Sequence, residues 1–236
     1  SVEFPELASA QKNPLPKADL QVPPFGVSNI FSHGWFSSVT GKGSSGLLQK
    51  TVAQMKTNGI LSTENRTAPE RRIFESDTGE LLMDCGRKQL LVTTPRTEAA
   101  AVVSGESIAL KTVSVLRSSI PACVALSSVD NRPLASSSRM VLVYQTEEAN
   151  SGMVLGGDRA TLHALGARPI LCRIGKMSLS AKLKPANWRL FALGLDGSRR
   201  EELPVESRNG ILSLTIDTAS LKSGPTVFFE LVETKG

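Results

Sequence analysis

The sequence predicts an all-β protein, an antiparallel β-sandwich of jelly-roll-like type, and three observations predict it. After Ile73 the apolar residues recur with a period of two and do so almost to the C-terminus. The runs, about a dozen of them, are short and spaced about 8–12 residues apart. Asp196-Gly197 and Asn209-Gly210 separate apolar runs, which is the strongest short-range signal for a hairpin.

Taken in order, the elements begin with a segment that is not regular. Residues 1–45 are rich in Pro, Gly and Ser, with Pro14, Pro16, Pro23 and Pro24 among them. Proline removes an N–H and restricts the residue before it, so this segment is expected to run extended over a neighbouring surface. It lacks an initiator Met and reads as the interior of a longer chain or a processed product. "SSGLLQKTVAQMKTNG" then supplies one helix: Ser44 or Ser45 caps it, Leu48, Val52 and Met55 share a face, and Gly59 ends it. Residues 1–60 are thus expected to be an extended connector with a short helix, and residues 61–236 the sandwich.

Within the sandwich, "MSLSAKL" sets Met177, Leu179, Ala181 and Leu183 against Ser178, Ser180 and Lys182, the pattern of a half-buried strand. "RMVLVYQT" and "WRLFALGL" are apolar on both faces and read as central strands between two layers. In "SIALKTVSVL" the alternation slips by one residue, which predicts a β-bulge near Lys111-Thr112. Tyr144 and Trp188 lie inside such runs and are expected in the core.

Bulk composition narrows the function. The chain has 236 residues, 40% hydrophobic and 21% charged, ordinary values for a globular protein. Its net charge of +5 is a mild excess of basic groups, and pairs such as Arg71-Arg72 and Arg199-Arg200 fall in turns. A dense basic patch with interleaved aromatics, the footprint of a nucleic-acid binder, is not there. No run is long and apolar enough to suggest a membrane span. Three separated cysteines, Cys85, Cys123 and Cys172, offer no CxxC spacing for zinc or redox chemistry. Cys123 and Cys172 lie in apolar runs and are expected to behave as small hydrophobes, although the sequence leaves one disulfide open.

His33 and His163 are the two histidines, and neither belongs to a metal-binding spacing. "GKGSSG" has neither the Walker spacing nor the form of a nucleophile elbow. The reading therefore assigns no metal, no cofactor and no catalytic residue. Asp77, Glu80 and Asp84 crowd one corner, but on a strand Glu80 and Asp84 stand about 13 Å apart at about 3.3 Å per residue. Glycosidase carboxylate pairs stand about 5–5.5 Å or 6.5–9.5 Å apart. Asp77 suits a turn around Thr78-Gly79, with Arg87 reaching back to Asp84 across "CGRK". The corner reads as structural.

"SDTGEL" at residues 76–81, Asp84, and "LLVTTPRTEAAAV" at residues 90–102 together resemble a motif written S-D-T-G-E-L-x-W-D…V-x-T-P-R-T-Q. It opens the C-terminal β-sandwich accessory domain of bacterial glycoside hydrolases with a TIM-barrel catalytic domain. "SSVDNRPLASSSR", the "NSGM" ending at Met153, "ARPILCRIGKMSLS" and "WRLFALGLDGSRREELPV" resemble further pieces of that domain in the same order. The likeness covers residues 73–206 and departs at Met83, where the family has Trp, and at Glu98, where it has Gln. It implies a piece of a glycosidase without the nucleophile and acid, which in the family lie on the barrel.

Three functions are expected to compete. The first is a non-catalytic sandwich that packs against a catalytic barrel of the same polypeptide or complex, with Asp77, Thr78, Gly79, Glu80, Asp84, Pro95, Arg96 and Asn150 as structural motif residues. It predicts an exposed apolar patch of interdomain size. The second is a carbohydrate-binding module, for which Trp35, with His33 nearby, is the one candidate platform for a polysaccharide. The third is a small hydrolase with a site drawn from Asp77, Glu80, Arg96 and Asn150, in which Arg96 pairs with Asp77 or Glu80 and Asn150 bridges backbone. Nucleic acid and membrane are not expected partners, and an extracellular or periplasmic location follows from polymer degradation.

Overall fold

A computed structural model of the chain describes residues 28–32, 35–39, 44–157 and 161–234, with side chains from residue 48 onward. The protein is built almost entirely of antiparallel strands with one α-helix, in agreement with the all-β sandwich that the sequence predicts. It forms two compact units, residues 1–88 and 89–236.

In the first unit, β1 (Ser28–Ser32) and β2 (Trp35–Val39) pair as an antiparallel hairpin within the segment expected to run extended. The remainder of that Pro-rich segment, residues 1–27, lies outside the described residues, as does any cap from the Ser44 or Ser45 side chain. Helix α1 (Ser44–Thr57) follows and buries Leu48 and Val52 as its 3.6-residue period requires, with Met55 half-buried. The helix stops at Gly59, whose φ of 71° is left-handed. Its N–H bonds to Lys56 and that of Ile60 to Met55, the paired closure that satisfies the last carbonyls of a helix. β3 (Ile73–Glu75) and β4 (Leu81–Asp84) form the next hairpin. Leu48, Phe74, Met83 and Cys85 are one buried cluster, so Met83 fills apolar space where the related motif has Trp.

The second unit is the sandwich. Its larger sheet contains β5 (Gln89–Thr93), β6 (Thr97–Val102), β9 (Ala122–Ser128), β10 (Arg139–Gln145), β20 (Phe228–Thr234), β16 (Asn187–Leu193) and β17 (Arg199–Leu203), adjacent in that order. Its smaller sheet runs β18 (Val205–Arg208), β19 (Ile211–Asp217), β15 (Lys176–Lys182), β8 (Val113–Ser118) and β7 (Ile108–Ala109). One apolar cluster lies between them: Met140, Leu142 and Tyr144 from β10 belong to it with Met177, Leu179 and Ala181 from β15. This is face-to-face sheet packing, with alternate residues of each strand pointing inward. Tyr144 is fully buried and its hydroxyl meets that of Ser118 at 3.2 Å, while Trp188 is buried at the margin. More strands appear than the dozen expected from Ile73 onward, because two- to four-residue pieces such as β7 and β18 are too short to show a period.

Both predicted hairpin turns form. Gly197 (φ 79°) turns β16 into β17, and Asn209-Gly210 (φ 52° and 75°) turns β18 into β19. The predicted bulge at Lys111-Thr112 is instead the tight turn of the β7–β8 hairpin, closed by Leu110 N–H on the Val113 carbonyl. A turn and a bulge both shift the phase of alternation by one, which is why the sequence pattern admits either. The register irregularity in this sheet falls where β8 meets Ser178 and Leu179 of β15.

Between β10 and β15 the chain leaves the sandwich as an arm. β11 (Glu148–Ser151) pairs with β14 (Ala167–Cys172), and β12 (Val154–Leu155) with β13 (Leu162–Ala164). None of its described residues is buried.

Leu142 sits at the centre of the cluster, 1% exposed. Leu142→Ala is expected to lower the urea midpoint by an amount equivalent to about 2–5 kcal/mol with an unchanged m-value. A loss under about 1 kcal/mol would mean that the two sheets do not close on this residue.

Candidate functional site: clamped carboxylates and an apolar outer face

The acid-glycine corner is built from its own backbone. Ser76 N–H donates to the Leu81 carbonyl at 2.9 Å and Gly79 N–H to the Ser76 carbonyl at 3.0 Å. Gly79 adopts φ 72°, a left-handed conformation that side chains with a Cβ avoid. The Ser76 hydroxyl oxygen accepts from Glu80 N–H (3.1 Å) and Leu81 N–H (3.0 Å) and meets the Thr78 hydroxyl at 3.1 Å. Asp84 accepts from Arg87 N–H at 3.0 Å, the expected reach across "CGRK".

Behind the turn, Glu75 is buried and fixed by Arg66, through its N–H at 2.5 Å and its Nε at 2.7 Å. Asn65 donates to the Ser76 carbonyl at 2.9 Å and accepts from Thr67 N–H at 3.0 Å. The cleft bounded by Glu64, Asn65, Glu75, Asp77 and Thr78 holds about 220 Å³. Small-molecule sites usually run to about 300–1,000 Å³. Asp77, Thr78, Gly79 and Glu80 are therefore parts of a hairpin turn, and the carboxylate deepest in the corner is Glu75, outside the motif.

The second motif closes on a loop some thirty residues away. Thr94 and Thr97 form a turn in which Thr97 N–H donates to the Thr94 hydroxyl at 2.9 Å. Pro95 offers its carbonyl to Leu134 N–H at 2.9 Å, and Arg96 its carbonyl to Ser128 N–H at 2.8 Å. The Arg96 guanidinium donates to Asn131 Oδ1 at 2.8 Å, not to Asp77 or Glu80, because the turn aims it at the β9–β10 connection.

That connection is organised by Asp130, a residue the sequence reading did not single out. Its carboxylate accepts from the Ser128 and Ser137 hydroxyls and from the Ser138 N–H and hydroxyl, each at 2.8 Å. Desolvation pushes this carboxyl upward, but the Ser138 N–H and the hydroxyls of Ser137, Ser128 and Ser138 outweigh it and hold the pKa far below the usual carboxylate range. The signal was present in the sequence: an Asp at the head of a turn with three serines seven or so residues on.

Two further carboxylates are clamped. Glu98 is buried and accepts from Thr112 N–H on both oxygens at 2.9 Å and from Val113 N–H at 2.8 Å. It thereby ties β6 of the large sheet to the turn of the small one. All of these contacts come from donors, so a carboxylate suits the position where the related motif has Gln. Glu98 also forms one wall of a cavity of about 370 Å³ with Thr93, Pro95, Lys111 and Pro133. Glu230 is 4% exposed and lies between Arg139 and Arg199, each 2.6 Å away through Nε. Burial works to raise its pKa, while hydrogen bonds and charge from Arg199 and Arg139 lower it on balance. Arg199 and Arg189 also lie over the Phe191 ring, at 4.5 and 4.7 Å from its centroid, and Arg189 pairs with Glu202.

The Glu230 cluster sits on the outer face of the large sheet, beside an apolar row. Val92, Ala99, Ala125, Val143 and Phe228 stand opposite one another across five adjacent strands, forming one continuous row. All five are half-exposed. A parallel row carries Leu90, Ala101 and Cys123. Cys123 is exposed here, contrary to the expectation of a buried thiol, because its apolar run is two-faced and it points outward. Cys85 is buried, Cys172 lies half-exposed on the arm, and all three are free thiols.

Asn150 does bridge backbone, donating to the Leu165 carbonyl at 3.0 Å across the arm. Of the sugar-platform residues, Trp35 opens strand β2 and its side chain is outside the described residues, as is His33. Among the described residues no group of three or more His, Cys, Asp or Glu is arranged to hold a metal, and no helix is long and apolar enough to cross a membrane. No family model, curated protein or solved structure matches the chain.

The Asp130 clamp has a pH signature. A carboxyl whose pKa is depressed on folding contributes stability that is complete above its unfolded value of about 3.9 and is lost as pH falls through and below that value. Asp130→Asn is expected to melt lower than the parent at pH 7, with the gap narrowing as pH falls from about 5 to 2. Thermal melts across that range check it; a gap independent of pH would show that the carboxylate charge contributes nothing.

Proposed function

We propose that this chain is a non-catalytic β-sandwich module of a glycoside hydrolase, whose outer sheet face packs against a catalytic barrel. The observation that supports this reading is the apolar row from Val92 to Phe228 on the side of the large sheet away from the core. A sheet face that serves only as a boundary with water alternates to polar residues, whereas one covered by a second layer stays apolar. Alanines at the middle of the row keep the face flat, so a helix or sheet layer can approach the backbone closely. The clamped carboxylates add support. Glu75, Glu98, Asp130 and Glu230 spend their oxygens on backbone N–H groups, hydroxyls and guanidinium groups that stiffen the frame. In this reading "SDTGEL" and "TPRT" are corner braces, and bond cleavage belongs to the partner domain.

Cys123 reports on this face. In a Cys172→Ser background, a fluorescent maleimide is expected to label Cys123 in the 236-residue chain, at a rate lowered by the partial desolvation that raises its thiol pKa. In the native full-length polypeptide the same thiol is expected to react at least ~10-fold more slowly, because the docked domain excludes the reagent. Equal rates, or a native reading frame that encodes no catalytic domain, would overturn the proposal.

A further inference from the structure

Among the clamped carboxylates, Glu75 and Glu230 face arginines and Asp130 is half-exposed to water. Glu98 is different: it is 2% exposed and has no cation within ion-pair distance among the described residues. A buried charge is ordinarily paired, because neutral donors alone do not offset its desolvation. Glu98 Oε2 accepts from Thr112 N–H at 2.9 Å and Val113 N–H at 2.8 Å, whereas Oε1 accepts from Thr112 N–H alone, at 2.9 Å. A carboxylate has about four lone-pair positions, two on each oxygen, so Oε1 keeps one open. The space that Glu98 walls is the cavity of about 370 Å³. That volume falls within the about 300–1,000 Å³ of small-molecule sites. Its walls are fixed by backbone. The Pro95 carbonyl accepts from Leu134 N–H at 2.9 Å, the Ala135 carbonyl from Lys184 N–H at 3.2 Å, and the Thr112 carbonyl from Lys182 N–H at 2.8 Å. A ligand therefore orders little on entry. Pro95, Pro133 and Ala135 give the cavity apolar sides. The Thr93 and Thr112 hydroxyls and the Lys111 ammonium, also at its walls, make no hydrogen bond or ion pair with a described residue.

We propose that this cavity binds a small zwitterion, a free amino acid, whose ammonium group pairs with Glu98 and whose carboxylate pairs with Lys111. The two charges of the cavity make the choice. A simple amine would answer Glu98 but leave the Lys111 cation beside it, and a simple acid would meet the buried like charge of Glu98. A molecule that carries both signs answers both. The protein charges belong to one turn, since Glu98 is bonded to the N–H of Thr112, the residue that follows Lys111. An ammonium group has three donors, one for the open position on Oε1 and two for the hydroxyls of Thr93 and Thr112. The prolines and Ala135 take the aliphatic part of the ligand. Lys111 is exposed, and its flexible stem lets the ammonium follow ligands of different length. A metal ion is a poorer occupant, because among the described residues no group of three acidic, His or Cys side chains gathers anywhere to hold one. The site is independent of the outer sheet face and of any catalytic domain.

Titration of the 236-residue chain with glycine, β-alanine, 4-aminobutyrate and 6-aminohexanoate, followed by nitrogen-15 NMR, tests it. At least one of these is expected to shift the Thr112 and Val113 amide signals saturably, and the best one reads the separation of the two charges. Propylamine and butyrate, each with one charge, are expected to bind at least ~10-fold more weakly than that amino acid. Lys111→Ala alters an exposed side chain and is expected to remove the advantage of the amino acid over propylamine. Glu98→Gln keeps the shape of the wall and is expected to weaken both ligands at least ~10-fold. Should Glu98→Gln fail to fold, the Lys111→Ala comparison decides alone. No saturable shift with any amino acid, glucose moving the same amides in their place, or an amino-acid affinity indifferent to Lys111→Ala would each overturn the proposal. None of these results bears on the labelling of Cys123.

Discussion

The constraint on which the structure rests is that its large sheet must be buried on one side by a single continuous apolar layer. Met140, Leu142 and Tyr144 from β10 and Met177, Leu179 and Ala181 from β15 belong to the same cluster, and both sheets need it. Neither sheet buries enough surface alone, because a strand hides only alternate residues and a single sheet leaves its inward row in water. Inward positions are accordingly almost wholly apolar. Polar groups enter only with their partners in place: the Tyr144 hydroxyl against Ser118, and Glu98 against the N–H groups of Thr112 and Val113.

From that constraint follows the role of the acidic residues that first attract notice. A carboxylate buried without partners costs far more than the fold can spare, so those in and around the sandwich are surrounded by donors. Glu98 joins two sheets, Asp130 organises a loop of serines, and Glu230 holds two arginines over the outer face. The Thr-Pro-Arg-Thr turn is bonded to the loop that Asp130 shapes, through Pro95, Arg96 and Asn131. Two segments that look like separate motifs are halves of one clamp at the end of β6 and β9.

Two surfaces are left over once the frame is complete, and they differ in kind. The outer face of the large sheet is flat, with small residues at its centre and an ion-pair cluster beside it. The arm is narrow, projects its aliphatics in more than one direction, and has charges at both ends. An apolar face suits a broad layer such as another domain.

The alternation of apolar residues by itself determined that the chain is antiparallel β, because period two can satisfy a half-buried strand and little else. It also placed α1 and its glycine stop, the turns at Gly197 and Asn209-Gly210, and the burial of Tyr144 and Trp188, all of which depend on residues close in the chain. Sequence even showed that β10 and β16 are apolar on both faces, although not which face met the core. Only the tertiary structure decided that Lys111-Thr112 is a hairpin turn, that Arg96 reaches Asn131, that Cys123 faces outward, and that Glu75, Asp130 and Glu230 are the bonded acids. Each of those depends on which strands become neighbours and in what register. Glu230 and Arg139, for example, meet on adjacent strands although far apart in the chain. Periodicity records the environment of a residue, and pairing between distant strands leaves no periodic trace.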